Sequence, residues 1–257
     1  MVDVAYDVKP VKEIWDNTWN NYSVGEKIEA IKNHKDISQV LYTYIGNSGR
    51  VLDAGCGLGG WLYVVSEINR EVVGVDYVLS CLRKIKDELT GTLLISSDVT
   101  ALPFKSKTFR YVICLGVIEH VENVTDSALN ELLRVCDDEA TVIISVPYKS
   151  LIFWRKRVKR IIHFLLGKHQ KENHFFEYCF TKREFHRFIE RNDLKIIEHI
   201  PYGHVVTLFY NFGFLRENKE RWNYRLNRFG TNLCTILMNQ KVWLTGHMQC
   251  IVARRVK

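Results

Sequence analysis

Proline is scarce in this chain, with 4 residues in 257, and there are no glycine- or serine-rich linkers, internal repeats or low-complexity tracts. Nothing in the sequence therefore marks a hinge between independent units. No run reaches the ~18 uninterrupted apolar residues that a membrane span requires. The seven cysteines (Cys56, Cys81, Cys114, Cys136, Cys179, Cys234 and Cys250) are odd in number and scattered, and none makes a C-x-x-C pair. They read as reduced thiols in a cytoplasmic protein without a structural metal. Residues Met1 to Asp7 carry acid where an export signal carries base, which agrees with that compartment.

The composition, 47% hydrophobic and 25% charged, is that of a globular protein. The length suits one α/β domain with insertions. The net charge of +7 hides an asymmetry. Residues 1–146 hold 14 basic and 21 acidic side chains, a net of −7, whereas residues 147–257 hold 22 and 8, a net of +14. The basic half points to an anionic partner, which is a phosphorylated substrate, a membrane surface or a nucleic acid, unless it is simply a solvated Lys-rich exterior.

Periodicity gives a helix from Val11 to Tyr22 and a second from Lys27 to Tyr44. The segment Val51-Leu52-Asp53-Ala54-Gly55-Cys56-Gly57-Leu58-Gly59-Gly60 then reads as a strand ending in a glycine turn that opens a helix. Two templates fit it: Gly55, Gly57 and Gly60 match the dinucleotide pattern, and Gly55, Gly57 and Gly59 match a G-x-G-x-G turn. Strands follow at 71–76, 92–96, 110–115 and 140–146, separated by helices, the last of them capped by Asn123 or Thr125 and holding Cys136 inward. This alternation is a doubly wound sheet. Asp76 closes the second strand, where an acid can accept both hydroxyls of a ribose. Beyond Pro147, residues 151–166 form a basic amphipathic helix with Leu151, Trp154, Val158, Ile161 and Leu165 along its apolar stripe. Thr181-Lys182-Arg183-Glu184 is a capping box, and 194–200 and 248–252 are the last strands. The connection from 203 to 246 is long and aromatic-rich, as functional connections are.

The glycine turn, Val75-Asp76, Asp98-Val99-Thr100-Ala101-Leu102-Pro103-Phe104 and Gly116-Val117-Ile118-Glu119-His120-Val121 together resemble the four cofactor-site segments of the class I S-adenosylmethionine (SAM)-dependent methyltransferases. The likeness is to the small-molecule, ubiquinone/menaquinone-type branch. It covers Arg50 to Pro147 strongly and Thr181 to Glu198 more loosely. The resemblance implies an α/β fold with a doubly wound, seven-stranded, mostly parallel sheet, an antiparallel last strand and helical cap insertions. It implies SAM as cofactor, with Asp53 steadying the turn and Gly55, Cys56, Gly57 and Gly59 bringing backbone to the methionine and ribose. Asp76 takes the ribose hydroxyls, Asp98 and Val99 serve the adenine, and Tyr77 lies against it. Leu115 and Gly116 run along the methionine tail. His120 is the candidate general base, with His174, Glu177 and Tyr178 as other acceptor-side groups. No metal ligand set is implied.

The sequence reading divides the chain into a core with N-terminal helices (1–147), a first cap insertion (148–193) and the last two strands with a second insertion at 203–246 (194–257), all one domain. The acceptor is expected to be small or lipid-like and anionic. An Asn/Asp-Pro-Pro-aromatic turn after the fourth strand, as in base amine methylation, is missing, and none of Pro10, Pro103, Pro147 and Pro201 precedes a cysteine, so cytosine-carbon chemistry is set aside. The alternatives are an RNA-directed methyltransferase, a noncatalytic SAM-binding or membrane-associated module and, least favoured, a nicotinamide oxidoreductase. Nucleic acid is disfavoured because the 151–166 stripe suits a bilayer surface better than a phosphate backbone.

Overall fold

Uninterrupted apolar runs such as Val72-Val73-Gly74-Val75 suit strands covered on both faces, and the computed structural model places them there. It describes residues 3–7, 11–32, 34–122, 125–150, 153–155, 157–158, 162, 165–166, 174–217 and 225–255. The chain begins with β1 (Asp3–Asp7), α1 (Val11–Asn20), α2 (Val24–Lys32) and α3 (Lys35–Tyr44). The core follows as β2 (Val51–Ala54), α4 (Gly60–Ile68), β3 (Val72–Asp76), α5 (Leu79–Glu88), β4 (Leu93–Ser96), β5 (Phe109–Leu115), α6 (Thr125–Val135) and β6 (Cys136–Pro147). Then come β7 (His174–Cys179), α7 (Lys182–Glu190), β8 (Leu194–Tyr202), α8 (His204–Asn211), α9 (Arg228–Asn239) and β9 (Met248–Arg255).

Seven strands form one sheet in the order β4-β3-β2-β5-β6-β9-β8. The strands from β4 to β6 are parallel, and β9 runs antiparallel between β6 and β8. All the carboxyl ends of the parallel strands therefore lie on one edge, the edge that receives ligands in open α/β sheets. Side chains alternate between two cores. Leu52, Val112, Cys114, Val142 and Ile144 pack under Leu129 and Leu132 of α6 and Phe185 and Ile189 of α7. Val51, Ile113, Ile143 and Val252 pack under Ile37 and Leu41 of α3, Leu62 and Val65 of α4 and Cys81 and Ile85 of α5. A third, smaller cluster joins α8 to α9 through Val205, Phe209, Leu226 and Cys234. All seven cysteines are buried free thiols.

The capping box is present: the Thr181 hydroxyl accepts from the Glu184 amide at 3.2 Å, and the Thr181 amide donates to Glu184 at 2.8 Å. Several expectations need correction. The single helix expected over 27–44 is two, α2 ending at Lys32 and α3 starting at Lys35, since Ile31 and Ile37, six residues apart, would not share one face of a continuous helix. Cys136 opens β6 instead of closing the preceding helix, and it remains buried. The segment around His174–Tyr178 is a strand, β7, paired antiparallel with β1 in a separate ribbon. The 203–246 connection holds two helices. Of the expected caps of α6, Asn123 lies outside the described residues, as does the side chain of Thr125. Half of the basic 151–166 segment, including Leu151 and Ile161, also lies outside them. Among the described residues, no helix is long and apolar enough to cross a membrane.

Candidate active site

The turn after β2 shapes the site. Gly55 and Gly57 adopt φ of 83° and 52°, the left-handed region that side chains disfavour. A Cβ on Gly55 would meet Val117 Cγ2 at 2.3 Å, and one on Gly57 would meet Trp19 at 2.8 Å. Asp76 fastens the turn, since its carboxylate accepts from the amides of Gly57 and Val78, both at 2.9 Å. Asp98 accepts from the Thr100 amide at 2.8 Å and the Thr100 hydroxyl at 2.7 Å, which orients it at the end of β4.

A cavity of about 1170 Å³ opens over these strand ends. Ten of the twelve residues singled out from the sequence line it: Gly55, Cys56, Gly57, Asp76, Tyr77, Asp98, Val99, Leu115, Gly116 and His120. Asp53 and Gly59 stand outside the lining. Asp53 is buried within β2 beneath the turn, and Gly59, at φ 74°, precedes α4 and backs onto Ile85. Of the acceptor-side residues, Glu177 lines the cavity, whereas His174 is exposed and Tyr178 is half-buried outside it.

Two carboxylates here are only partly satisfied. Asp53 Oδ2 and Glu119 Oε2 are buried without a hydrogen-bond partner. Burial, with the negative charge of Asp76, raises the Asp53 carboxyl to about 7. Burial above all, with Glu177 nearby, pushes Glu119 well above the usual carboxyl range. Buried carboxylates without a neighbouring cation are costly to ionise and favour a ligand that brings positive charge.

His120 is held tightly. Its Nδ1 donates to the Phe176 carbonyl at 2.7 Å. A carbonyl can only accept, so the proton sits on Nδ1 and the lone pair on Nε2, which lies 4.0 Å from Glu119 Oε1. Burial lowers the imidazole to about 4, so it is neutral at pH 7. Trp15 meets its ring edge-on at 5.2 Å and Phe176 packs at 4.9 Å.

The N-terminal helix forms the roof. Trp15 and Trp19 stack at 5.1 Å, with Trp19 over Gly57. Lys84 of α5 fixes the end of α1 by donating to the carbonyls of Trp19, Asn20 and Tyr22 at 2.7, 3.1 and 2.9 Å. These are carbonyls a helix end leaves unpaired. The four-residue tryptophan spacing was visible in the sequence. No local signal marked Tyr202, Val206, Arg225, His247 and Met248, which reach the cavity from β8, α8, β9 and the segments leading into α9 and β9.

The sheet order, the single antiparallel strand and the ligand-edge cavity define a Rossmann-like methyltransferase fold of class I. The solved SAM-dependent methyltransferase of Methanosarcina mazei has the same fold, with a TM-score of 0.57 at 16% identity over 84% of this chain and 97% of that one. So does the 1,6-didemethyltoxoflavin-N1-methyltransferase of Burkholderia thailandensis, solved with S-adenosylhomocysteine, with a TM-score of 0.54 at 13% identity over 86% and 76%. The family model described as the methyltransferase domain matches residues 29–199, and the chain belongs to that family. Its cofactor is S-adenosyl-L-methionine. Among curated relatives, an uncharacterized protein of Methanocaldococcus jannaschii is 30% identical over 150 residues, which is 56% of this chain and 63% of that protein's length. The ubiquinone biosynthesis O-methyltransferase of Rickettsia bellii is 26% identical over 176 residues, 66% of this chain and 68% of that one.

Proposed function

We propose that the protein transfers the methyl group of SAM to a small or lipid-like, anionic acceptor held in the same cavity. The observation that carries this reading is the pair of partnerless buried carboxylate oxygens, on Asp53 and Glu119, beside a turn open to close backbone approach. SAM, when bound, supplies a methyl group on an electrophilic sulfonium, together with an ammonium. The backbone of Gly55, Cys56 and Gly57 holds the methionine side, with Asp53 steadying the turn from beneath and Gly59 shaping the start of α4 behind it, and Leu115 and Gly116 flank it. Asp76 takes the ribose hydroxyls, while Asp98, Val99 and Tyr77 receive the adenine.

The remaining space supports a second ligand. Single-ligand sites run to ~300–1,000 Å³, and this cavity exceeds that range. Trp15, Phe176, Tyr202, Val206 and Met248 give it apolar walls, and Arg225 and His247 add basic groups that suit an anion. Most of the acceleration in such a displacement comes from alignment of nucleophile and methyl. Trp15, Phe176 and the fixed His120 ring provide rigid surfaces for that alignment. Where the acceptor must lose a proton, His120 takes it at Nε2, the nitrogen with the free lone pair. Residues 148–193 and 203–246 act as the cap that selects the acceptor.

Calorimetric titration with S-adenosylhomocysteine tests the reading. Wild type should bind, and Asp76→Ala should bind at least tenfold more weakly, since charge-assisted hydrogen bonds are each worth ~1.5–3 kcal/mol. No binding by wild type would sink the assignment.

A further inference from the structure

Exposed apolar side chains are not spread evenly over this molecule. Of the 15 large hydrophobic residues exposed among the described residues, 12 fall from Trp154 to Leu244. The sharpest concentration is a corner built from the turn after α8 and the start of α9. Phe214 is 72% exposed and Phe229 66%, with Phe212 packed against Phe214 at 6.1 Å. Ile236 follows Phe229 by seven residues, two helical turns, so it shares the same outer flank of α9 and is also exposed. The opposite flank of α9, Gly230 and Cys234, is buried in the cluster with Phe209 and Leu215.

The exposure is not that of a loose loop. The Asn227 side chain donates to the Phe214 carbonyl at 2.8 Å and accepts from the Gly230 amide at 2.9 Å, and the Asn227 amide donates to Leu215 at 2.8 Å. The backbone presents these rings to solvent, where they gain nothing unless something apolar covers them.

Charge indicates what the cover is. Arg228 stands exposed at the first turn of α9, beside Phe229. Arg155 hydrogen-bonds Asn211 at the end of α8, which brings the Trp154–Arg157 pair, 5.6 Å apart, to the same corner. Across 204–217 and 225–246 the sole carboxylate is Glu217. Aromatic rings interleaved with arginines and almost without acids match the headgroup zone of an anionic bilayer.

We infer that the corner formed by Phe212, Phe214, Phe229, Ile236 and Arg228 docks the protein on an anionic lipid surface. The same elements reach the cavity: α8 contributes Val206 and the half-exposed Tyr210 to its lining, and Arg225 precedes α9. Docking there sets the cavity's Tyr210 side against the bilayer, so that a lipid-like acceptor passes from membrane to site. That last step rests on the function proposed above, while the docking itself does not.

The test is flotation of the full chain with phosphatidylcholine vesicles, with and without phosphatidylserine. Wild type should partition about tenfold more strongly to the anionic vesicles, and the Phe214→Glu/Phe229→Glu double variant should lose that binding by about tenfold or more. Arg228→Glu should weaken it several-fold, and added salt should do the same. S-adenosylhomocysteine affinity, unchanged across these variants, shows that they fold and keeps this test separate from that of the cofactor. Equal partitioning of the double variant and wild type overturns the proposal, as does equal binding to neutral and anionic vesicles. A dimer seen by light scattering that Phe214→Glu splits also overturns it, by giving the face to a second copy.

Discussion

Between residues 51 and 147 the large apolar side chains alternate across a sheet and almost all disappear into two cores, whereas between 203 and 246 Phe212, Phe214, Phe229 and Ile236 remain in solvent. The first region carries acids, two of them buried beside the glycine turn; the second carries arginines on its outside. The difference teaches how work is divided in this molecule. The sheet edge must hold a ligand common to a whole family, so its turn is built of positive-φ glycines and its charges are desolvated. In the reading proposed above, the second region suits one acceptor and its surroundings, with side chains on a separately packed helix pair.

Breaking the first region should cost most. Gly55→Ala places a methyl at 2.3 Å from Val117 Cγ2 on a backbone of φ 83°, and we expect destabilisation of about 3 kcal/mol in urea unfolding together with loss of cofactor binding. No measurable change would mean that the turn relaxes freely and is not built for close approach.

A subtler change sharpens the contrast between function and stability. The Asp53 carboxyl titrates at about 7 in the folded chain against an ordinary 3.8. A raised carboxyl contributes full stability below pH ~4 and loses it as pH rises towards 7, because the folded state then has to ionise a buried group. Asp53→Asn should therefore stabilise the ligand-free protein at pH 8 by about 2 kcal/mol, with little gain at pH 4, while weakening S-adenosylhomocysteine binding. Thermal melts across pH with and without that ligand decide it; a variant less stable at pH 8 would contradict the buried-charge argument.

The second half has its own polar anchor, of smaller effect. Burial pushes Glu184 up, but the Lys149 ammonium at 2.8 Å and the Thr181 amide and hydroxyl bring it down to about 2. Here the sign is opposite: a depressed carboxyl gives stability that is present above pH ~4.5 and fades as pH falls through 2. Glu184→Gln should cost ~1–2 kcal/mol at pH 7, and the gap from wild type should close near pH 2. A constant gap across that range would assign the loss to packing alone.

Much of the sheet was legible because buried parallel strands leave unbroken apolar runs and their helices keep one stripe. The glycine turn, Asp76, Asp98 and His120 were legible because ligand-edge residues follow directly on strands in a fixed order. The β1–β7 ribbon was not, since five- and six-residue strands far apart in sequence carry no mutual signal. The division between α2 and α3 was missed because no proline or glycine stands between Ile31 and Ile37 to mark it.

Residue pattern alone thus determined the fold class, the cofactor and ten residues that line the ligand-edge cavity, since these depend on local order along the chain. Tertiary structure alone decided that Asp53 lies beneath the cavity, that Gly59 turns its back on it, and that His120 carries its proton on Nδ1. It also decided that Trp19 roofs the turn and that Tyr202, Arg225 and Met248 join the cavity lining. Burial, tautomer and the meeting of distant strands depend on packing in three dimensions, and no spacing along one chain encodes them.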